Sequence, residues 1–225
     1  MSALKKKVIY VPIFILLFIF AFTNLTNRAN ESKNPPIITD KSNYNDPDSI
    51  SFVVNKKRPL PDGYTPTDLD GLLRKEPKEK LDALLSEARA QSINLRLISG
   101  YRSQSSQDSL YSSYLSKDGQ ALADTYSARP RHSEHQTGLA VDLGNSDNTC
   151  DLDICFSETP GGKWLSQNSY KFGFIIRYQK DKTGITGYQF EPWHLRYVGT
   201  DVAKDLHSSN KTLEEYFGLP SAPSY

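Results

Sequence analysis

The chain has 225 residues, of which 37% are hydrophobic and 24% are charged, as expected for one globular domain with appended segments. Its formal net charge is +1, and the charge turns negative once the three lysines at positions 5 to 7 are set aside. No basic stripe remains in the rest of the chain, which excludes a nucleic-acid-binding protein.

The first segment is either a membrane anchor or a signal segment. Three lysines precede the apolar run "VIYVPIFILLFIFAF" at residues 8–22, which with its next residues approaches the roughly 17 to 20 that a helix needs to cross a bilayer. No small-residue cleavage site follows, which favours an uncleaved single-pass anchor at residues 8–25 over a cleaved signal peptide. The lysine cluster then places residues 1–7 in the cytoplasm and everything after the anchor outside the cell.

A linker and a single domain follow the anchor. Residues 26–51 are rich in Asn, Ser, Asp and Pro and lack apolar periodicity, so we expect an extended extracellular linker there. The folded domain occupies residues 52–225. It begins with the stretch "VVNKKRPLPDGYTPTDLDGL", in which proline and glycine recur, so this part should be mostly irregular.

Helices and strands then come in mixed order. "PKEKLDALLSEARAQS" has leucines at helical spacing, "NLRLIS" predicts a short buried strand, and "SQSSQDSLYSSYL" predicts a helix capped by a serine. "GQALADTY" predicts a helix, "GLAVDLG" a strand, and "GGKWLSQNSYKFGFIIRY" a helix followed by a strand. A turn-rich segment joins that strand to "YQFEPWHLRYV" in an antiparallel hairpin, and short helices end the chain. The pattern predicts an α+β domain with a small antiparallel sheet flanked by helices.

The only two cysteines, Cys150 and Cys155, lie close together in "CDLDIC". Outside a cell such a pair can close a small disulfide loop, and the alternative is two unpaired thiols. A zinc knuckle is disfavoured because no second pair of soft ligands lies nearby.

A histidine and an aspartate in "SEHQTGLAVD" are candidate metal ligands. His135 lies in a predicted loop, Gly138 lets the chain turn, and Asp142 follows on the polar face of a strand whose other face is apolar. Taken alone, such a pair is more often a histidine that caps a turn and an aspartate that pairs with an arginine. The hypothesis of a metal site therefore depends on the rest of the chain.

The later segment "FEPWHLRYV" adds a second histidine and a carboxylate. Glu191 and His194 are three residues apart, and Pro192 disfavours a helix, so both reach one site only through a bulge or turn around "EPW". Two imidazoles and one carboxylate are the protein ligands of a catalytic zinc site that keeps a position open for water. Glu191 would then suit a general base.

These motifs resemble a known family. "SEHQTGLAVD" and "EPWH" look like the S-x-H-x-x-G-x-A-x-D and E-x-x-H motifs of zinc D-alanyl-D-alanine carboxypeptidases of the VanY and LD-carboxypeptidase type. "VNKKRPLPDGYTPTDL", "SGYRSQSSQ" and "YKFGFIIRY" resemble further segments of that family, so the resemblance extends over residues 52–199. One departure is "ARPRHSEH", where Arg131 and His132 follow a proline after which the family often has glycine.

The resemblance implies a fold shared with Hedgehog-like peptidases and a complete set of site residues. Zinc would be bound by His135, Asp142 and His194, with Glu191 as the catalytic base. Arg102 would stabilise the developing charge of the scissile carbonyl or hold the substrate, since arginine recognises a carboxylate through two parallel hydrogen bonds.

Two more residues match positions that line the peptide site of the family, namely Ser133 and Gln107. Other candidates are weaker: His132 and His207 are not expected to bind metal, and Trp193 and Tyr188 are expected in the core rather than stacked on substrate.

We therefore expect a membrane-tethered, monomeric zinc carboxypeptidase that faces the cell wall and removes the C-terminal D-alanine from peptidoglycan stem peptides. One alternative is an L,D-carboxypeptidase that acts on tetrapeptide stems. A second alternative, from another functional class, is a non-catalytic module that binds the cell wall.

Overall fold

The computed structural model describes residues 43–225. The predicted segments at residues 1–7 and 8–25, and the predicted linker as far as residue 42, lie outside this range. Within residues 43–225 no helix is long and apolar enough to cross a membrane. Residues 43–51 contact the domain: the carbonyl of Tyr44 accepts a hydrogen bond from the Val53 amide at 3.2 Å, and the Tyr44 ring lies 5.6 Å from that of Phe217.

An antiparallel sheet of four strands forms the centre of the described domain, in the order β3-β4-β6-β5. A two-stranded antiparallel hairpin forms a separate sheet. The strands are β1 (Leu69–Asp70), β2 (Leu73–Arg74), β3 (Leu95–Ser99), β4 (Ala140–Asn145), β5 (Phe174–Ile176) and β6 (His194–Tyr197).

Helices flank this sheet. They are α1 (Lys75–Ala90), α2 (Gln104–Asp118), α3 (Gln120–Tyr126), α4 (Pro160–Asn168), α5 (Thr183–Thr186), α6 (Thr200–Ser209) and α7 (Leu213–Phe217). Short 3-10 helices lie at Asn43–Asn45, Glu134–Thr137, Ile154–Glu158 and Ser169–Phe172. The predicted α+β single domain with a small antiparallel sheet is thus confirmed.

Local sequence explains where the helices begin and which face they bury. In α1, Leu81, Leu84 and Ala88 are buried at helical spacing. The hydroxyl of Ser103 accepts a hydrogen bond from the Ser106 amide and so caps the start of α2, as the serine-rich sequence predicts. These two helices are therefore specified by ordinary patterning and capping.

The core lies against β4, the strand that also carries a candidate ligand. Leu139, Val141 and Leu143 are fully buried in the largest hydrophobic cluster, and each such leucine or valine stabilises the fold by about 1.5–3 kcal/mol. Ala140 and Asp142 on the other face are also buried. The predicted alternation is confirmed for the core face, while the polar face of the strand is covered by the site rather than open to solvent.

The chain from residue 188 to the end of β6 differs from the predicted long strand. Only the last part, β6, is a strand, and β5 is likewise short. Before β6, Pro192 lacks an amide donor for a ladder, and the His194 amide donates to the Glu191 carbonyl at 3.2 Å. A turn, rather than a bulge, therefore brings Glu191 and His194 together. The sequence predicted that β3 is buried, whereas all of its residues are only half-buried.

Cys150 and Cys155 form a disulfide, and no free cysteine remains. Of the two alternatives left open by the sequence, the structure has the closed loop. The loop connects β4 to the 3-10 helix Ile154–Glu158.

Candidate active site

Three buried side chains converge as a candidate metal centre. His135, Asp142 and His194 each offer a ligand atom, and these atoms lie within 4.8 Å of one another. Asp142 in β4 and His194 in β6 are directly opposite each other in the antiparallel register, so the ladder itself aligns their side chains. His135 reaches the same point from the 3-10 helix Glu134–Thr137.

The turn at Gly138 connects that 3-10 helix to β4. Gly138 has φ +66°, a left-handed conformation that costs glycine little. A Cβ atom there would also lie 3.0 Å from side-chain atoms of Arg74 and Leu69. The glycine of the motif thus serves both the backbone angle and the close approach of the β1–β2 hairpin.

Hydrogen bonds fix which nitrogen of each imidazole faces the centre. His135 Nδ1 lies 2.8 Å from the carbonyl of Gly100, which can only accept, so Nε2 is left facing Asp142 Oδ2 at 3.2 Å. His194 Nε2 lies 3.2 Å from Glu134 Oε2, and its Nδ1 lies 3.1 Å from Asp142 Oδ1. Outer acceptors of this kind are typical of metal-ligating histidines, and the inward set of two nitrogens and a carboxylate fits zinc.

The charges at the centre also favour a cation. Burial raises the pKa of Asp142, but His135 and His194 lower it by more, and the carboxyl remains ionised. Burial lowers the pKa of His194, yet its hydrogen bonds to Asp142 and Glu134 outweigh this and raise the pKa to about 10. The protonated form of this side chain is therefore stabilised by negative neighbours that would equally stabilise a metal ion.

Glu191 lies beside the centre without being one of the three converging groups. Its Oε2 is 4.0 Å from His194 Nδ1. Burial, which outweighs the effect of His194, together with the negative charges of Asp142 and Glu134 raises the pKa of Glu191 to about 8. A buried carboxylate with a raised pKa in a cleft is suited to accept and return a proton.

A buried ionic cluster, which the sequence did not reveal, supports His194. We use this name for Glu134, Arg177, Arg196 and Glu214, all with side chains that are fully buried. Glu134 Oε1 accepts from Arg177 Nε at 2.8 Å and from Arg196 Nη1 at 2.9 Å, while its Oε2 faces His194. Burial alone would raise the pKa of Glu134, but the positive charges of Arg177 and Arg196 lower it by more. The pKa of Glu134 therefore lies well below its usual range.

The available signal for this cluster was an arginine within each of two apolar segments, "FIIRY" and "HLRYV". A buried arginine requires a buried carboxylate. Glu134, next to His135, is that partner.

All seven predicted site residues line one cleft of about 240 Å³. They are Arg102, Gln107, Ser133, His135, Asp142, Glu191 and His194. Tyr188 and Trp193 are nearly buried, as expected of core residues, yet they line the cleft as well. Tyr178, which the sequence did not single out, stacks on His194 with ring centroids 4.9 Å apart.

Arg102 lies just before α2 and is held by neutral partners. Its Nη1 donates to Gln107 Oε1 at 2.8 Å and its Nη2 to Ser99 Oγ at 3.1 Å. Gln107 in turn donates to the carbonyl of Ala128 at 2.7 Å. Within residues 43–225 no carboxylate forms a salt bridge with Arg102, so its charge is available to an anionic substrate group.

The other two histidines lie away from the centre, as the sequence predicts. His132 Nδ1 hydrogen-bonds with the carbonyl of Asn55 at 2.7 Å, and the His132 ring meets that of Tyr225 edge-on. His207 stacks on Tyr170.

Comparisons with known proteins agree with this site. The VanY family, described as D-alanyl-D-alanine carboxypeptidase, matches residues 70–200. A putative carboxypeptidase of Bacillus subtilis (strain 168), YodJ, is 40% identical over 185 residues, which is 76% of this chain and 68% of the relative.

Two solved structures have the same fold. The LD-carboxypeptidase LdcB is 39% identical with a TM-score of 0.72, over 78% of this chain and 88% of that chain. A mutant of the vancomycin resistance D,D-pentapeptidase VanY, in complex with Zn(II), is 34% identical with a TM-score of 0.65, over 74% of this chain and 97% of that chain. Because the family match includes more than half of the residues, this chain belongs to the VanY family of D-alanyl-D-alanine carboxypeptidases.

Proposed function

We propose that the protein is a zinc-dependent carboxypeptidase that removes the C-terminal D-alanine from peptidoglycan stem peptides. The observation that carries this proposal is the convergence of His135, Asp142 and His194 in the cleft that also contains Glu191. Membership of the VanY family supports the same activity. A non-catalytic wall-binding module would have no need for a buried carboxylate with a raised pKa beside a ligand set.

The chain supplies substrate binding and proton transfer. Arg102, whose charge has no carboxylate partner in the described residues, binds the terminal carboxylate of the stem through its two outer nitrogens. Gln107 and Ser99 keep the guanidinium plane in place. The substrate is thereby held with its last peptide bond beside Glu191 and the two histidines.

Hydrolysis then requires a proton to move from water to the leaving amine. His135, Asp142 and His194 would hold a zinc ion, which when bound would polarise the scissile carbonyl and lower the pKa of the attacking water. Glu191 accepts a proton from that water as the water oxygen attacks the carbonyl carbon. Glu191 next donates the proton to the amine nitrogen of the departing D-alanine as the carbon–nitrogen bond breaks.

A second candidate is an L,D-carboxypeptidase that acts on tetrapeptide stems. The likeness to the LdcB LD-carboxypeptidase, 39% identical with a TM-score of 0.72, favours it. Both reactions use the same ligands and the same base, so the shape of the cleft beyond Arg102 decides between them.

We also propose that residues 8–25 anchor the chain in the membrane as a single span and that the domain acts as a monomer facing the cell wall. The apolar run and the preceding lysines support the anchor. The disulfide supports an oxidising location for the domain.

The experiment is to incubate the purified chain with zinc and two defined stems, a pentapeptide ending in D-alanyl-D-alanine and a tetrapeptide ending in one D-alanine. Released D-alanine is measured by mass spectrometry, before and after treatment with a chelator. Chelator-sensitive release from the pentapeptide supports the D,D activity, and release from the tetrapeptide supports the L,D activity. Binding of both stems without release from either would overturn the proposal in favour of a wall-binding module.

A further inference from the structure

We propose that Leu152 contacts the stem peptide at the rim of the cleft, and that the disulfide between Cys150 and Cys155 holds it there. We call residues 150–155 the disulfide loop. The inference rests on the proposed function, because it names a residue that determines how that same site binds the part of the substrate preceding the bond to be broken.

Leu152 is an exposed apolar side chain within the substrate cleft. It lines the cleft together with Arg102 and Trp193, although 49% of its surface is open to solvent. Among residues 43–225 the other large hydrophobic side chains of comparable exposure are Leu72, Leu115, Leu122 and Ile154, and none of these lines the cleft. An exposed leucine at the mouth of a binding site is a place where a ligand gains apolar contact.

The path of the disulfide loop across β4 explains how Leu152 reaches the site. Gly144 lies two residues after Asp142 and therefore on the same face of the strand. A Cβ atom on Gly144 would lie 2.5 Å from Asp151 Oδ1, so the Asp151 side chain of the loop packs directly over this glycine. Asp151 is also paired with Arg96 of β3, which ties the loop to the edge of the sheet.

The disulfide, rather than local backbone preference, holds the disulfide loop in its conformation. Cys150 and Leu152 have φ angles of +61° and +50°, in the left-handed region that non-glycine residues seldom adopt. Cys150 packs against the largest hydrophobic cluster, and Phe156, directly after the loop, is fully buried. With both ends fixed and linked by the disulfide, Leu152 keeps its direction toward the cleft.

The exposure of Leu152 indicates which part of the substrate it contacts. Arg102 binds the terminal carboxylate inside the cleft, and the bond to be broken lies at Glu191 and the ligand set. The rest of the stem must extend toward solvent, and Leu152, at 49% exposure, is the large hydrophobic residue of the cleft lining that is most open to solvent. Leu152 therefore contacts an aliphatic part of the residues that precede the terminal D-alanine.

The test compares substitutions at two exposed aliphatic residues of the disulfide loop, Leu152 and Ile154. Leu152→Ser should raise the KM for whichever stem peptide the enzyme cleaves by about 10-fold, the factor that corresponds to the loss of one apolar contact, and should leave kcat unchanged. Ile154→Ser is the matched control, because Ile154 is 59% exposed in the same loop but does not line the cleft, and its KM should equal that of the parent protein.

The double variant Cys150→Ser with Cys155→Ser tests the role of the disulfide. It should raise KM as Leu152→Ser does, with zinc content and kcat preserved. A double variant that melts at a lower temperature but keeps the parent KM would overturn the positioning role of the disulfide. An unchanged KM for Leu152→Ser in an active enzyme would overturn the substrate contact, whereas absence of D-alanine release by the parent protein would instead contradict the proposed function.

Discussion

The two sides of the cleft are built in different ways. On the metal side, His135, Asp142 and His194 are buried, and the outer nitrogen of each imidazole is hydrogen-bonded to a carbonyl or a carboxylate. Elsewhere in the cleft lining, Tyr126 is the last residue of α3 and Leu152 lies in the disulfide loop, and both are partly open to solvent. From this difference we expect the chemistry to depend on buried charge, and the choice of substrate to depend on a few exposed contacts that can change without loss of the fold.

The largest expected effect comes from the metal side. Glu191→Gln should lower kcat by about 10³-fold, since the amide cannot accept the proton of the attacking water, while the zinc content of the purified protein stays the same. Glu158→Gln is the control, because that carboxylate is 79% exposed and does not line the cleft. Full activity of the Glu191 variant on stem peptides would remove Glu191 from the mechanism.

Arg102→Lys tests whether Arg102 binds the terminal carboxylate of the substrate. The expected fall in kcat/KM is roughly 100-fold, because an ammonium group cannot form the two parallel hydrogen bonds that a carboxylate accepts from arginine. Arg131→Lys serves for comparison, since the Arg131 side chain donates to the carbonyl of Leu60 and does not line the cleft. Equal kinetics for the two variants would show that Arg102 does not bind the terminal carboxylate.

A comparison of Glu134→Gln with Glu214→Gln separates an effect on the orientation of His194 from an effect on the stability of the fold. Both belong to the buried ionic cluster. Glu134→Gln leaves Arg196 without a carboxylate partner, at a cost of about 3–5 kcal/mol in the free energy of unfolding, whereas Glu214→Gln leaves Arg177 paired with Glu134 alone and should cost less. Of these two carboxylates, only Glu134 contacts His194. We therefore expect zinc affinity, measured by competition with a chelator, to fall about 10–100-fold in the Glu134 variant alone.

If both variants bind zinc equally well, Glu134 acts only as a structural partner of the arginines. If both lose zinc to the same degree, the whole buried ionic cluster rather than one contact positions the imidazole. Denaturant unfolding of each metal-free variant supplies the stability values needed to interpret the binding data.

The smallest effect concerns acid stability. Burial raises the pKa of Glu214, but Arg177 lowers it by more, so the folded-state pKa lies below the ordinary value of 4.5. The unfolded chain then takes up this proton first as the pH falls, so the stabilisation is complete above the ordinary pKa and is lost as the pH falls through the folded-state value. In metal-free protein, Glu214→Gln should show a shallower decline of the unfolding free energy between about pH 5 and pH 3. Parallel curves for parent and variant would contradict this assignment.

Sequence patterns predicted the elements that carry the site. Leucines at helical spacing located α1, a serine located the start of α2, and the alternation in "GLAVDLG" located β4 together with Asp142. The requirement that Glu191 and His194 serve one site predicted a turn or bulge at "EPW", and the structure has the turn. The catalytic and ligand roles of these residues stay predictions, to be tested by the variants above.

The remaining features depend on contacts between distant segments, which periodicity does not contain. Glu134 resembles any polar loop residue until Arg177 and Arg196 are seen to converge on it. Leu152 belongs to a loop rich in aspartate, and only the folded structure shows that this leucine lines the cleft. A motif therefore identified the chemistry, while the neighbours that orient it required the fold.

The pairing of Asp142 with His194 across β4 and β6 has a consequence for assembly of the domain. A slip of β6 by one residue would place Leu195 opposite Asp142 and turn His194 toward the hydrophobic core. A misregistered chain would thus lose its metal site and bury an imidazole at the same time. Uptake of zinc by a refolding population should for this reason count only those molecules in which the central strands have aligned correctly.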